Sequence, residues 1–220
     1  MKYSMDDLLN LAGTLIYALQ ALIAIFGLFL VILIFRRIGQ KRFRSLAQFN
    51  GFQEQIREAF SRKDLDAVRA ICDTPQYWAK AVPQLMLLGI ANVKLGLARI
   101  RRLLAENFER EVISELEYQI AWINTIIKTA PMLGLLGTVQ GMIQAFGKIA
   151  AVSKETGTDP QMLANDISFA LLTTAYGLMI AIPLVMFMAA IQVRIAKLQD
   201  NAQEGIGEFL EQLEASGKIS

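Results

Sequence analysis

The sequence predicts an all-α integral membrane protein with three transmembrane helices, the second and third extending as long helices into the cytoplasm. The 220 residues are 54% apolar with a mean hydropathy of +0.39, more than an ordinary soluble domain carries. Three runs lack any formal charge: 8–35, 129–147 and 167–193, of 28, 19 and 27 residues. A helix crosses a bilayer core with about 20 apolar residues at ~1.5 Å each, so all three are long enough. Unpaired backbone groups are too costly in lipid for anything but helices or closed barrels, and unbroken runs of this length indicate helices. A soluble chain this short could hardly bury three such runs as core helices.

Residues 1–35 are expected to hold the N-terminus, outside, and the first span. A cleaved signal peptide is the competing reading of this run. It fits less well: the apolar run is too long, Lys2 is offset by Asp6 and Asp7, and no small-x-small cleavage site comes after it. Residues 36–128 carry 16 bases and 10 acids, and five of the bases (Arg36, Arg37, Lys41, Arg42, Arg44) come directly after the first span. The positive-inside rule places this segment in the cytoplasm. Three crossings then return the tail, 194–220, to the same side.

Within the cytoplasmic segment, residues 52–72 read as one amphipathic helix with Phe52, Ile56, Phe60, Val68 and Ile71 on its apolar face. Pro75 and Pro83 punctuate the next stretch of chain, and a second apolar run starts at Trp78. From about Leu95 a helical pattern runs through Leu104, Phe108, Leu116 and Ile123 with no turn signal before the second span, 129–149. One continuous helix, with Pro131 as the place for a bend, is expected. Residues 150–166 form a short periplasmic loop with Gly157 and Pro160 as turn signals. The third span, 167–193, runs on through Leu198, Ile206 and Leu210, with Gly205 and Gly207 weakening its far end.

Composition excludes several functions. There is no histidine, and Cys72 is the single cysteine, which leaves no disulfide framework, no His- or Cys-rich metal site and no Ser-His or Cys-His couple. No metal and no cofactor is expected. An intramembrane serine protease would lack its histidine and an aspartyl one both of its carboxylates, so the chain is not read as an enzyme. The basic cluster lacks interleaved aromatics and abuts a span. It is read as a topology signal or a contact with anionic lipids, not as a nucleic-acid site. Cys72 is expected as a small buried hydrophobe on the reducing side.

The second and third spans each carry a stripe of small residues beside a hydroxyl. With positions about 100° apart, Gly134, Gly137, Thr138, Gly141 and Ala145 share one broad face of the second. Ala170, Thr174, Gly177 and Ala181 share a face of the third. Two readings are open: close helix packing, in which small residues let backbones approach in lipid, or the lining of a polar pathway. Gln140 and Gln144 lie on a different face, read as a subunit contact. None of the three runs 8–35, 129–147 and 167–193 holds an Asp, Glu, Lys, Arg or His. Hydroxyls can order water but cannot store a proton, so a proton-coupled device would need an acid from another chain.

The string Ala130-Pro-Met-Leu-Gly-Leu-Leu-Gly-Thr-Val-Gln-Gly-Met-Ile143 resembles the second-span signature of the MotA/TolQ/ExbB proton channel family. Ala170-Leu-Leu-Thr-Thr-Ala-Tyr-Gly-Leu-Met-Ile-Ala-Ile-Pro183 resembles its third-span signature, in the expected order and separation. The likeness covers residues 95–200 well, and three spans match the ExbB/TolQ branch. It implies an ion-conducting, proton-driven subunit of an inner-membrane motor working on an envelope client such as a TonB-dependent transport system. It further implies a homopentamer around an ExbD/TolR-like single-span partner that brings an intramembrane aspartate, with a TonB- or TolA-like protein beyond it. By position, Thr138 and Thr174 match the family's pore-lining residues, and Gly134, Gly137, Gly141, Ala145, Ala170, Gly177 and Ala181 become close-packing residues of the pore face.

One position departs from the pattern. Well-known ExbB and TolQ sequences have a glutamate five residues before the third-span threonine, where this chain has Phe169. Asp166, one turn further out, is either a substitute entrance charge or the N-cap of the third helix. The ion can accordingly be H⁺ or Na⁺. A structural membrane scaffold without ion conduction is the alternative function.

Overall fold

A computed structural model describes residues 5–151 and 160–217, and every element among them is helical. The order is α1 (Met5–Lys41), α2 (Leu46–Ser61), α3 (Leu65–Cys72), α4 (Ala81–Ala91), a 3₁₀ turn (Val93–Leu95), α5 (Leu97–Phe108), a π-turn (Glu109–Ile113), α6 (Ser114–Ala151) and α7 (Pro160–Ala215). α1, α6 and α7 contain the three stretches long and apolar enough to cross a membrane. The helical path from Leu97 through α6 is continuous apart from its π-turn, and α7 runs 56 residues. The long-helix expectation for the second and third spans holds.

The chain forms two compact units. The first comprises residues 1–32 and 120–189 and contains most of the apolar spans. Its outward faces are apolar, with Leu22, Ile25, Leu135, Ile143, Met179 and Met186 all exposed. Such a surface suits hydrocarbon, where exposed apolar side chains carry no penalty. Its interior is lined by small residues.

The second unit comprises residues 33–119 and 190–220. Its core is aromatic: Phe43 stacks at 5.4 Å from both Phe49 and Phe52, and Tyr77 meets Phe52 edge-on at 4.9 Å. Such pairs add to their area burial. Gly205 does not weaken α7, contrary to expectation. A Cβ there would lie 2.7 Å from Val82 Cγ1, so glycine lets α7 approach α4 closely. Gly207 meets nothing within 4 Å. Pro83 sits third in α4, where its missing N–H has no intrahelical partner to lose.

The single amphipathic helix expected over 52–72 is two helices. α2 ends at Ser61, Lys63 takes a left-handed φ of 56°, and Asp64 caps α3 by accepting from Ala67 N at 2.9 Å. Apolar periodicity continues across this break because both helices bury the same face, which is why pattern alone joined them.

The charges next to the first span are partly engaged. Arg37 pairs with Glu115, and the Arg194 guanidinium lies 4.6 Å above the Phe35 ring, a stem-buried, head-polar placement suited to a membrane boundary. Lys80 Nζ donates to Arg42 O at 2.6 Å and Gly39 O at 3.4 Å, capping the C-terminal end of α1 with positive charge. Burial, and then Arg44, lower its pKa.

Cys72 is buried at 1% exposure, as expected of a small hydrophobe. Burial first, and Asp73 second, push its thiol up to about 12. A raised folded pKa gives stability that is fully present below the unfolded thiol value. That stability is lost as pH rises through about 9 towards about 12. In detergent, Tm is expected to fall over that window, and less steeply in Cys72→Ala. Iodoacetamide at pH 8 should leave the native thiol unmodified and label it after denaturation.

Candidate functional site: a glycine seam between two spans

Within the first unit, α6 and α7 meet along their small residues. A Cβ on Gly134 would lie 2.7 Å from Thr174 Cα, one on Gly141 2.7 Å from Ala170 Cβ, and one on Gly177 2.5 Å from Ala130 O. A Cβ on Gly137 would overlap the Thr173 side chain. Ala145, Ala170 and Ala181 are buried too, at 3%, 2% and 6% exposure. These are the positions read as close-packing residues of a pore face. Within this chain they are buried, and the glycines lie against backbone and side chains of the adjoining helix. Dispersion contacts at this spacing are what hold helices together in lipid, where no hydrophobic force draws one helix to another.

The hydroxyl at the centre of the seam is Thr173, fully buried. Its Oγ1 donates to Ala170 O at 2.7 Å on its own helix, with Gly134 O of α6 at 3.2 Å. Its backbone carbonyl accepts from Gln20 Nε2 of α1 at 2.9 Å. Neither Thr173 nor Gln20 stood out in the sequence. An amide midway along an uncharged run, and a doubled threonine, were the signals available.

Thr138 and Thr174 are both half-buried, each one residue along from a contact at the seam's centre. Thr138 Oγ1 donates to Leu135 O at 2.7 Å, which leaves its lone pairs as acceptors. It lines an open groove of about 490 Å³ with Val139, Met142, Ile143 and Phe146. Thr174 Oγ1 is covered and has no hydrogen-bond partner among the described residues. A buried hydroxyl without a partner costs about 1–3 kcal/mol. Gln140 is buried at 8% exposure, while Gln144 is half-buried.

Asp166 is not a helix cap. α7 begins at Pro160, so Asp166 lies well inside it, at a position whose amides already have intrahelical partners. Its carboxylate instead pairs with Lys148 of α6, at 2.8 Å through Oδ1 and 2.7 Å through Oδ2. The Asp166 side chain is 13% exposed. Residues 152–159 of the loop expected over 150–166 lie outside the described residues. From Pro160 onward that stretch is already helix.

Phe169, at the family's glutamate position, packs on α1. Its ring meets Tyr17 edge-on at 5.0 Å, and a Cβ on Gly13 would lie 2.9 Å from its Cζ. Tyr17 in turn meets Tyr176 at 5.9 Å. An aromatic side chain fills this site where a carboxylate would need a polar partner. Among the described residues no group of three or more His, Cys, Asp or Glu side chains could hold a metal ion.

Three long apolar helices, two of them joined along glycines and flanked by hydroxyls without intramembrane charge, define a polytopic membrane protein with polar but uncharged span faces. A sequence model of the MotA/TolQ/ExbB proton channel family matches residues 53–204, and the chain belongs to that family. It is 34% identical over 97 residues to the Tol-Pal system protein TolQ of Haemophilus influenzae, an alignment covering 44% of this chain and 41% of that protein. It is 49% identical over 57 residues to the biopolymer transport protein exbB1 of Vibrio cholerae, covering 26% and 24%. Over 201 residues it is 27% identical to a putative biopolymer transport protein ExbB homolog of Methanothermobacter thermautotrophicus, covering 87% and 67%. The chain thus spans less than half the length of the TolQ relative, and these names support the ExbB/TolQ-like branch.

Proposed function

We propose that this chain is the ion-conducting subunit of an ExbB/TolQ-like inner-membrane motor, with the proton as its ion. A homopentamer would surround an ExbD/TolR-like single-span partner. The N-terminus would lie in the periplasm and the C-terminus in the cytoplasm. The reading is supported most by one feature: uncharged second and third spans that place Thr138 and Thr174 at family-matching positions, in a chain whose membership covers both spans. Hydroxyls there can hold water or bond a carboxylate, while the titrating group comes from the partner's aspartate. Work would be delivered to an envelope client through a TonB- or TolA-like protein. Asp166, paired with Lys148, would set the charge near the outer end of the conducting helices in place of the missing glutamate.

The test is ion flux in proteoliposomes that hold the chain with its co-expressed partner. Thr138→Val combined with Thr174→Val is expected to abolish flux and client energisation while the complex still assembles. Normal flux in that double variant rejects both roles.

The seam favours a second reading, because every glycine expected at a pore face is sealed inside one chain. A structural scaffold would use the small residues for packing alone, and it predicts no proton or sodium flux from the wild-type complex with any partner.

A further inference from the structure

We infer that Gln20 and Thr173 are positioning residues that tie all three membrane helices together and set the orientation of Thr174. The inference rests on the proposed role of Thr174 in conduction. Gln20 lies midway along the first span and is 2% exposed. An amide at that depth is costly unless bonded, and its Nε2 donates to the Thr173 carbonyl at 2.9 Å. The hydroxyl of the same threonine reaches Ala170 O at 2.7 Å and Gly134 O at 3.2 Å. One residue of α7 thus accepts from α1 through its backbone and faces a carbonyl of α6 through its side chain.

Thr174 is the next residue, about 100° further round α7. Its azimuth is fixed by whatever fixes Thr173. Gly137 leaves no slack, since a Cβ there would overlap the Thr173 side chain. On the α1 side Gln20 borders an open groove of about 520 Å³, mainly apolar, whose lining includes Ala21, Ala24 and Leu172. Apolar packing of α1 on α7, as at Gly13 and Phe169, is not directional, and the Gln20 bond is the contact that fixes the two helices' relative orientation at this level. α1 carries neither of the two proposed pore hydroxyls. The bond gives it a share in the geometry of Thr174.

The experiment uses the full chain with its co-expressed partner, in proteoliposomes. Gln20→Leu removes the donor at similar volume, and flux is expected to fall about tenfold, the worth of one ordering hydrogen bond, with assembly retained. Gln20→Glu separates positioning from packing. When ionised, the introduced carboxyl only accepts and cannot bond the Thr173 carbonyl. When protonated, its O–H donates as the amide did. Relative to wild type at each pH, Gln20→Glu should therefore be close to wild type where the introduced carboxyl is protonated and defective at alkaline pH where it ionises. Tyr17 and Tyr176 are the other titratable side chains that line this groove.

A second readout does not depend on flux. In a Cys72→Ser background, the rate at which a methanethiosulfonate reagent modifies Thr174→Cys should change several-fold on adding Gln20→Leu. Wild-type flux, or an unchanged modification rate, in Gln20→Leu overturns the inference, as does a Gln20→Glu defect independent of pH. Absence of flux from the wild-type complex itself would reject the conduction reading, and the modification rate would still decide whether Gln20 orients position 174.

Discussion

Gly137→Val is expected to break the membrane unit. Its added side chain would have to occupy the volume of Thr173 Oγ1, Cβ and Cγ2, all of which a single Cβ at this position already overlaps. Thr173 cannot swing away: it is β-branched, fully buried and engaged with carbonyls on two helices. Relief requires α6 and α7 to separate, which gives up the contacts at Gly134, Gly141 and Gly177 together. The resulting cost is about 3 kcal/mol or more, at or beyond the upper end for overpacking. The expected readout is loss of folded, detergent-stable protein and of assembly. Thr173→Gly in the same chain should recover a large part of the loss, because it vacates the contested space. A double-mutant cycle with no coupling between positions 137 and 173 would show that the two helices do not meet along this seam.

Phe49→Ala is the second large effect, and it falls on the other unit. Phe49 is fully buried, 5.4 Å from the Phe43 ring and within 4 Å of the position a Cβ on Gly205 would take. Removing it empties the centre of an aromatic cluster fixed by α2, Phe43 and α7, and costs about 3–5 kcal/mol. Limited proteolysis should show cleavage in the region 46–91 of the variant under conditions where wild type is intact. Residues 120–150 and 163–189, in the membrane unit, should remain resistant, because Phe49 contributes nothing to the glycine seam.

These two sites differ in how far the sequence disclosed them. Apolar patterning pointed to the helices of the second unit, and Phe52, Ile56 and Phe60 fell on the expected buried face. The pattern missed the break at Lys63, since a left-handed residue with an N-cap behind it need not interrupt periodicity. The glycines of the second span were legible as a stripe, and so was their close-packing use. Their partner was not. Spacing places residues on a face but does not say whether that face meets a helix of the same chain, another subunit or water. Thr173 passed unnoticed beside Thr174, which alone was placed on the small-residue face. The structure buries the first between helices and leaves the second half-buried at the edge. Asp166 looked like a cap only because the charge-free run began beside it, whereas the helix had already started six residues earlier.

What the sequence by itself determined is what depends on composition and length. This covers three spans, a helical class, a set of membrane segments whose uncharged runs hold no Asp, Glu, Lys, Arg or His, and two strings that mark the family. Hydrocarbon imposes these through the cost of unpaired backbone and buried charge, which acts residue by residue and is readable in one dimension. Only the tertiary structure decided which small residues are sealed, that Lys148 holds Asp166, that Phe169 packs on Tyr17, and that Gln20 bonds the Thr173 carbonyl. Each of these is an encounter between positions distant along the chain. The local energies that shape helices are blind to such encounters until the helices pack and close approach becomes possible.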